Sequence, residues 1–262
     1  MALNIIVCIK QVPDTTEVKL DPKTNTLIRD GVPSIINPDD KAGLEAALRL
    51  KDQVGAEITV LTMGPLKAVE ALREALAMGG DKAVLVTDRA FGGADTWATS
   101  STLASAIRKI GNYDLIITGR QAIDGDTAQV GPQIAEHLGL VNISYVEDIS
   151  VEDNSIIAKR QYEDRHHMVR AKLPCLITAL SEMNEPRYMT PGGILDAYQA
   201  EIQTFTRVDL DVEDENIGLK GSPTRVFRSF TKQGKGKGTV VQLDPKESAG
   251  WLIERMQEKF II

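Results

Sequence analysis

Apolar residues fall along the chain in two alternating rhythms, short unbroken runs and faces of helical period, and their order predicts the fold. Residues 4–9 (NIIVCI) form a run rich in isoleucine and valine that ends in polar Lys10 and Gln11, as suits a first central strand opening on a site. Residues 18–29 alternate around the turn-forming DPKTN and predict a surface hairpin. A helix opens next, with Pro38 at its first position, Asp39 and Asp40 at its positive end, and an apolar face of Leu44, Ala47, Leu48 and Leu50. Residues 57–61 lead through Met63, Gly64 and Pro65 into an amphipathic helix over 69–78, and residues 83–86 lead into another over 96–110. The apolar run at 115–117 is followed by a polar turn, then by Ile134, Ala135, Leu138 and Leu140 at helical spacing.

Successive strand–helix units imply an α/β fold with a parallel, doubly wound sheet. Ligands of such sheets gather beyond the carboxyl ends of the strands, here Cys8, Met63, Asp88 and Gly119. After Leu140 the period changes to alternation in SYVEDISVED and SIIAKRQYE, closed by the continuous apolar LPCLITAL, and this stretch predicts an antiparallel addition to the sheet. From residue 201 the chain reads as an extended arm: the acidic DLDVEDEN, the apolar Val226, Phe227 and Phe230, a KQGKGKG loop, and a closing helix over about 245–260. The expected division is therefore an α/β domain over 1–200 and, over 201–262, an arm and helix that wrap a partner.

Composition narrows the functions. The 262 residues are 42% hydrophobic and 26% charged, ordinary globular values that leave room for a sizeable core. A net charge of −7 disfavours nucleic acid and anionic membrane as partners, and glycine-laced Lys232, Lys235 and Lys237 read as a loop rather than a polyanion site. No apolar stretch is long enough for a membrane span, and the first residues run straight into a strand, so a cytoplasmic protein is expected. Cys8 and Cys175 sit in apolar runs, and His137, His166 and His167 make no zinc spacing, so neither a disulfide nor a metal site is expected. No nucleophile–base order stands out, and no catalytic residue is assigned.

The chemistry concentrates at 115–140, LIITGRQAIDGDTAQVGPQIAEHLGL, which joins a buried strand, a Gly/Asp/Thr turn and a helix. Gly125 and Gly131 leave room for close backbone approach, Thr127 and Gln129 bring hydrogen-bonding side chains, and the helix start offers amide donors to a phosphate ester. An ordinary turn with Asp126 or Thr127 as helix cap fits the same letters. The turn TDRAFGGAD at 87–95 is long and glycine-rich, and its Arg89 is a candidate partner for a diphosphate.

GRQAIDGDTAQVGPQ resembles the nucleotide-binding loop of electron-transfer flavoprotein beta subunits. IIVCIKQVPD, INPDDKAGLEAALRLKD, ALREALAMGGDKAVLV and NEPRYMT accompany it in that family's order, over roughly four-fifths of the chain. The resemblance implies a Rossmann-like, adenine-nucleotide-binding fold and an obligate heterodimer with a flavin-carrying alpha subunit. It places nucleotide contacts on Cys8, Asn37, Pro38, Asp39 and Met63, and on the loop Ala122, Ile123, Asp124, Gly125, Asp126, Thr127, Ala128, Gln129, Val130, Gly131, Pro132 and Gln133. Arg89, Asp95 and Thr96 join them from the neighbouring turn, with Asp39 and Arg89 on the nicotinamide side. Asn184, Glu185, Pro186, Arg187, Tyr188, Met189, Thr190 and Pro191 resemble the segment that docks acyl-CoA dehydrogenases, although Pro191 and Asp196 stand where better-known members carry a leucine anchor and a lysine-rich helix.

Some members hold AMP as a structural ligand; others hold a second FAD and bifurcate the electrons of NADH. The roomy DGDTAQVGP, Arg89, Gly92 and Gly93 resemble the bifurcating branch, which implies FAD rather than AMP, NADH as substrate, and ferredoxin or flavodoxin as low-potential acceptor. The other readings are a non-bifurcating subunit with AMP and an ATP-binding signalling module of the same fold, which lacks NEPRYMTPGGILDAY.

Overall fold

The structure, a computed structural model, describes residues 2–14, 33–227, 236 and 238–262. The hairpin expected at 18–29, Phe230 and most of the KQGKGKG loop lie outside the described residues. The chain divides into two compact units, Met1–Arg225 and Val226–Ile262.

The first unit is built on a nine-stranded sheet with β1 (Leu3–Cys8) in its interior, apolar except for Asn4 and buried at all its remaining positions. After the short antiparallel pair β2 (Gln11–Pro13) and β3 (Ser34–Ile36), the chain turns into α1 (Pro38–Val54). The helix begins where the sequence places it, Pro38 being tolerated in the first turn because that N–H has no helical partner. β4 (Ala56–Met63), α2 (Val69–Met78), β5 (Lys82–Val86), α3 (Thr96–Ile110), β6 (Leu115–Gly119) and α4 (Val130–Leu138) complete the strand–helix succession.

β7 (Val141–Glu152), β8 (Ser155–Tyr162) and β9 (Arg165–Lys172) form the expected antiparallel extension. The apolar run after them, β10 (Cys175–Ala179), does not belong to that extension: it inserts parallel between β6 and β7. A strand buried on both faces is nearly continuously apolar, and all five residues of β10 are buried, Thr178 being the one polar residue among them. α5 (Pro191–Gln199) follows, then β11 (Ile202–Phe205) pairs parallel with β5 and closes the order β11-β5-β4-β1-β6-β10-β7-β8-β9.

Two apolar cores lie on opposite faces of the sheet. Ile5, Val7, Val60 and Ile117 meet Leu44 and Leu48 of α1 and Leu72 of α2, whereas Ile6, Val84 and Ile116 meet Leu103 and Ile107 of α3 and Ile134 of α4. The sheet is thus doubly wound, as the sequence predicts.

The arm expected from residue 201 does not begin there. Residues 202–205 are sheet, Leu210 and Ile217 are buried in the second core, and α6 (Gly218–Gly221) packs so closely that a Cβ on Gly218 would meet the Ala90 carbonyl. The acidic letters of DLDVEDEN mask this docking, because only Leu210, Val212 and the following Ile217 carry it. In the second unit, α7 (Pro245–Glu258) is capped by Asp244, which accepts from the N–H groups of Lys246 and Glu247 at 2.9 Å, and none of its residues is buried. Among the described residues no helix is long and apolar enough to cross a membrane.

Candidate functional site

The segments that follow β1, β6 and β10 meet at the carboxyl end of the sheet, and three residues at the start of α1 and its N-cap tie them together. Asn37, fully buried, donates from Nδ2 to the Gln121 carbonyl at 2.8 Å and accepts at Oδ1 from the Ile123 N–H at 3.0 Å. Asp39 accepts from Gln121 N–H at 3.3 Å and from Ser181 N–H at 3.1 Å, and Arg120 Nε lies 3.4 Å from it. Asp40 accepts from Lys10 N–H at 2.8 Å and Gly119 N–H at 2.9 Å, joining the ends of β1 and β6. Burial raises Asp40 to about 7, against the opposing pull of those hydrogen bonds and with help from the neighbouring Asp39 charge. Gly119 is required here, since a Cβ would stand 2.2 Å from Asp40 Oδ1.

The turn these residues hold, 120–129, ends at a helix start that no side chain caps; neither Asp126 nor Thr127 takes that role. Asp126 and Ala128 hold φ of 55° and 53°, left-handed values that non-glycine residues adopt at a cost and that recur at ligand sites. Left-handed Ala128 followed by right-handed Gln129 turns successive N–H groups to one side, the concavity that receives anions. Gly125 has nothing within 4 Å of an added Cβ, so the turn is open above it. Two carboxylates in the turn would oppose a phosphate, but both are engaged: Lys10 Nζ lies 2.6 Å from Asp124 Oδ1, and Gln121 Nε2 donates to Asp126.

The neighbouring turn after β5 is brought alongside. Thr96 Oγ1 donates to Gln129 Oε1 at 2.8 Å, and Ser100 Oγ donates to Gln133 Oε1 at 3.1 Å. Arg89 is exposed in a short 3-10 turn at Arg89–Phe91, with Asp88 capping that turn by accepting from Ala90 N–H at 2.9 Å. Cys8 is 8% exposed on the sheet face packed by α3 and α4, and burial together with the Asp40 charge pushes its thiol up to about 12. Met63 lies partly buried against the same core.

Several residues expected to touch a ligand also have partners within the protein. Asn37 and Asp39 have both ends of their side chains committed to the backbone. Asp95 caps α3 by accepting from Ala98 N–H at 3.0 Å, and its other oxygen accepts from Thr224 N–H at 2.9 Å. Gly131 faces inward: a Cβ there would lie 2.4 Å from Thr118 Oγ1 and 2.9 Å from Thr178 Cγ2, so its missing side chain admits α4 onto β6 and β10 rather than a phosphate onto the turn. In the docking segment, Arg187 is bound to Glu45 and Asp52, Asn184 donates to the Ala42 carbonyl at 3.0 Å, and Thr190 caps α5 by accepting from Gly193 N–H at 3.0 Å. Tyr188, Met189, Leu195 and Tyr198 point outward, Tyr188 being 95% exposed. Lys10, Asp40, Gln121 and Glu45 were not legible as site residues, because their role depends on contacts between distant segments. A hollow of about 740 Å3 lies at the amino ends of the strands, between Asn4, Thr59, Lys82, Lys109 and Gln203. It has no helix start beside it, and the loops at the other end carry the chemistry.

A doubly wound parallel sheet whose carboxyl-end turns converge on an uncapped helix start places the chain in the class of α/β proteins whose ligands gather beyond the strands' carboxyl ends. A model of the electron transfer flavoprotein domain matches residues 24–210. Electron transfer flavoprotein subunit beta of Clostridium acetobutylicum is 54% identical over 260 residues, spanning 99% of this chain and 100% of that protein. Caffeyl-CoA reductase-Etf complex subunit CarD of Acetobacterium woodii is 55% identical over 262 residues, and acryloyl-CoA reductase electron transfer subunit gamma of Anaerotignum propionicum 45% over 268, each spanning 99% of this chain and 100% of the relative. The chain belongs to the electron transfer flavoprotein family, as a beta subunit, and that membership implies an alpha-subunit partner.

Proposed function

We propose that this beta subunit binds FAD in the turns at the carboxyl ends of β1, β4, β5 and β6, and oxidises NADH there. With its alpha subunit it then divides the electrons by flavin-based bifurcation between ferredoxin or flavodoxin and an acyl-CoA dehydrogenase or quinone-side acceptor. The observation that carries the reading is the 120–129 turn, which combines left-handed Asp126 and Ala128, open space over Gly125 and an uncapped α4 start. Support for a diphosphate comes from the pairing of Asp124 with Lys10, from the hydrogen bond that turns Asp126 to Gln121, and from the link of the turn's edge to the Arg89 turn through Thr96 and Gln129.

In this reading the amides around 127–131 hold phosphate, Arg89 offsets the second negative charge, and Asn37 and Asp40 keep the turn in register. Bound FAD supplies the hydride acceptor. The protein supplies position and field rather than an acid or a base. Asp39, engaged with backbone amides, acts on the site through Gln121 and not by touching nicotinamide. The names of the relatives from Acetobacterium woodii and Anaerotignum propionicum support a partner that reduces a CoA thioester. The exposed Tyr188, Met189 and Leu195 are its docking surface, on a segment anchored by Arg187.

The test is anaerobic titration of the purified heterodimer with NADH. Bleaching of flavin absorbance at stoichiometric NADH is expected; a spectrum unchanged by excess NADH overturns the bifurcating reading in favour of a simple carrier.

A further inference from the structure

Helix α1 serves two surfaces at once. At its first turn Asp39, 6% exposed, gives one carboxylate oxygen to Gln121 N–H in the nucleotide turn and the other to Ser181 N–H, where the chain leaves β10 for the docking segment. One turn further along, the Ala42 carbonyl accepts from Asn184 Nδ2 at 3.0 Å. Beyond it Glu45, 3% exposed, accepts from Arg187 N–H at 3.1 Å, Nε at 2.9 Å and Nη2 at 3.1 Å. Asp52 takes a further bond from Arg187 Nη2 at 2.8 Å. The strands beneath fix the helix itself, for a Cβ on Gly43 would lie 2.9 Å from Ile117 Cγ2. The helix therefore has no slack against β6, and a carboxylate that must serve two amides from different segments constrains both.

We propose that Asp39 is a positioning residue that couples the nucleotide turn to the docking segment, so that nucleotide occupancy orders residues 181–190 through Asp39 and α1. The inference rests on the nucleotide reading above. Its physical content is a shared clasp: a ligand that fixes the 120–129 turn fixes Gln121, Gln121 fixes the Asp39 carboxylate, and the carboxylate fixes Ser181. Links of this kind typically shift an equilibrium about 5–150-fold. An asparagine at this position has one accepting oxygen and one donating nitrogen, so it can satisfy one of the two amides and repels the other.

Amide hydrogen exchange on the heterodimer tests the proposal, comparing nucleotide-depleted protein with protein reloaded with AMP or with FAD. In the wild type, reloading slows exchange about fivefold or more in both 119–131 and 181–190. In Asp39→Asn it slows exchange in 119–131 alone. In Arg187→Met the nucleotide turn responds as in the wild type, while 181–190 exchanges fast whether loaded or depleted. Protection of 119–131 without any change in 181–190 in the wild type overturns the coupling and leaves the nucleotide reading standing. Retention of the paired response in Asp39→Asn overturns the role of that residue. Absence of protection at 119–131 with either nucleotide overturns the site and the coupling together. The wild-type comparison decides by itself if a variant fails to fold.

Discussion

Asp40 is a carboxylate with almost no access to water, held between the ends of two central strands. Its proton stays on to about pH 7 in the folded chain but leaves near 3.8, the ordinary value, in the unfolded one. Between those values the folded state binds the extra proton, so this group's contribution is whole below the lower value and is lost as pH rises through the upper. The gap corresponds to about 4 kcal/mol at most. Asp40→Asn should remove that slope: denaturant unfolding of the heterodimer should show wild type losing stability relative to the variant from about pH 4 to about pH 7. Parallel pH profiles would contradict the assignment. Gly131 makes the second point at this scale. Its letters suit a phosphate loop, yet its α-carbon packs against Thr118 and Thr178. Gly131→Val is expected to destabilise the fold by about 1–3 kcal/mol through overpacking, read as a lowered Tm; an unchanged Tm with lost nucleotide would restore the phosphate role. Neither residue announces itself in the sequence, where an aspartate in a first helical turn reads as a dipole partner and a glycine as room for a ligand.

Elements were legible wherever local pattern decided them. The helices at 69–78 and 96–110 stand where apolar spacing places them, because each buries one face against a sheet. Pairing was less legible: β10 follows an antiparallel hairpin in sequence but joins the parallel centre, a choice made by the strands on either side of it. Residues 202–221 likewise join the sheet and second core through a few buried side chains. The segment before α5 shows how an element is anchored by a residue that resembles a docking contact. Glu45 is buried beneath Arg187, and its hydrogen bonds to the guanidinium, which outweigh the opposing effect of burial, hold Arg187 well above its ordinary range. Arg187→Ala should cost about 2 kcal/mol, the scale of hydrogen bonds to a charged group, discounted from a fully buried pair because the Arg187 side chain is one-third exposed (34%). A thermal melt of the heterodimer checks this, and an unaltered Tm would show that the contact carries no stability.

On the scale of the whole molecule, apolar surface is left without cover. Phe227 is fully exposed at 100%, Val226 is 79% exposed, and α7 shows Leu252 and Ile253 at 54% and 48%. Surface of this kind favours association. The alpha subunit is its proposed cover, and the chain expressed alone should aggregate or form mixed oligomers by light scattering, whereas co-expression should give one heterodimer. A stable monodisperse monomer would contradict that. The piece over 201–262 that the sequence suggests wraps a partner includes the whole of the second unit, Val226–Ile262. The central claim concerns what occupies the turn between β6 and α4, and a count of nucleotides released from the denatured heterodimer tests it most directly. The account predicts two FAD per heterodimer and no AMP; one FAD with one AMP would contradict it.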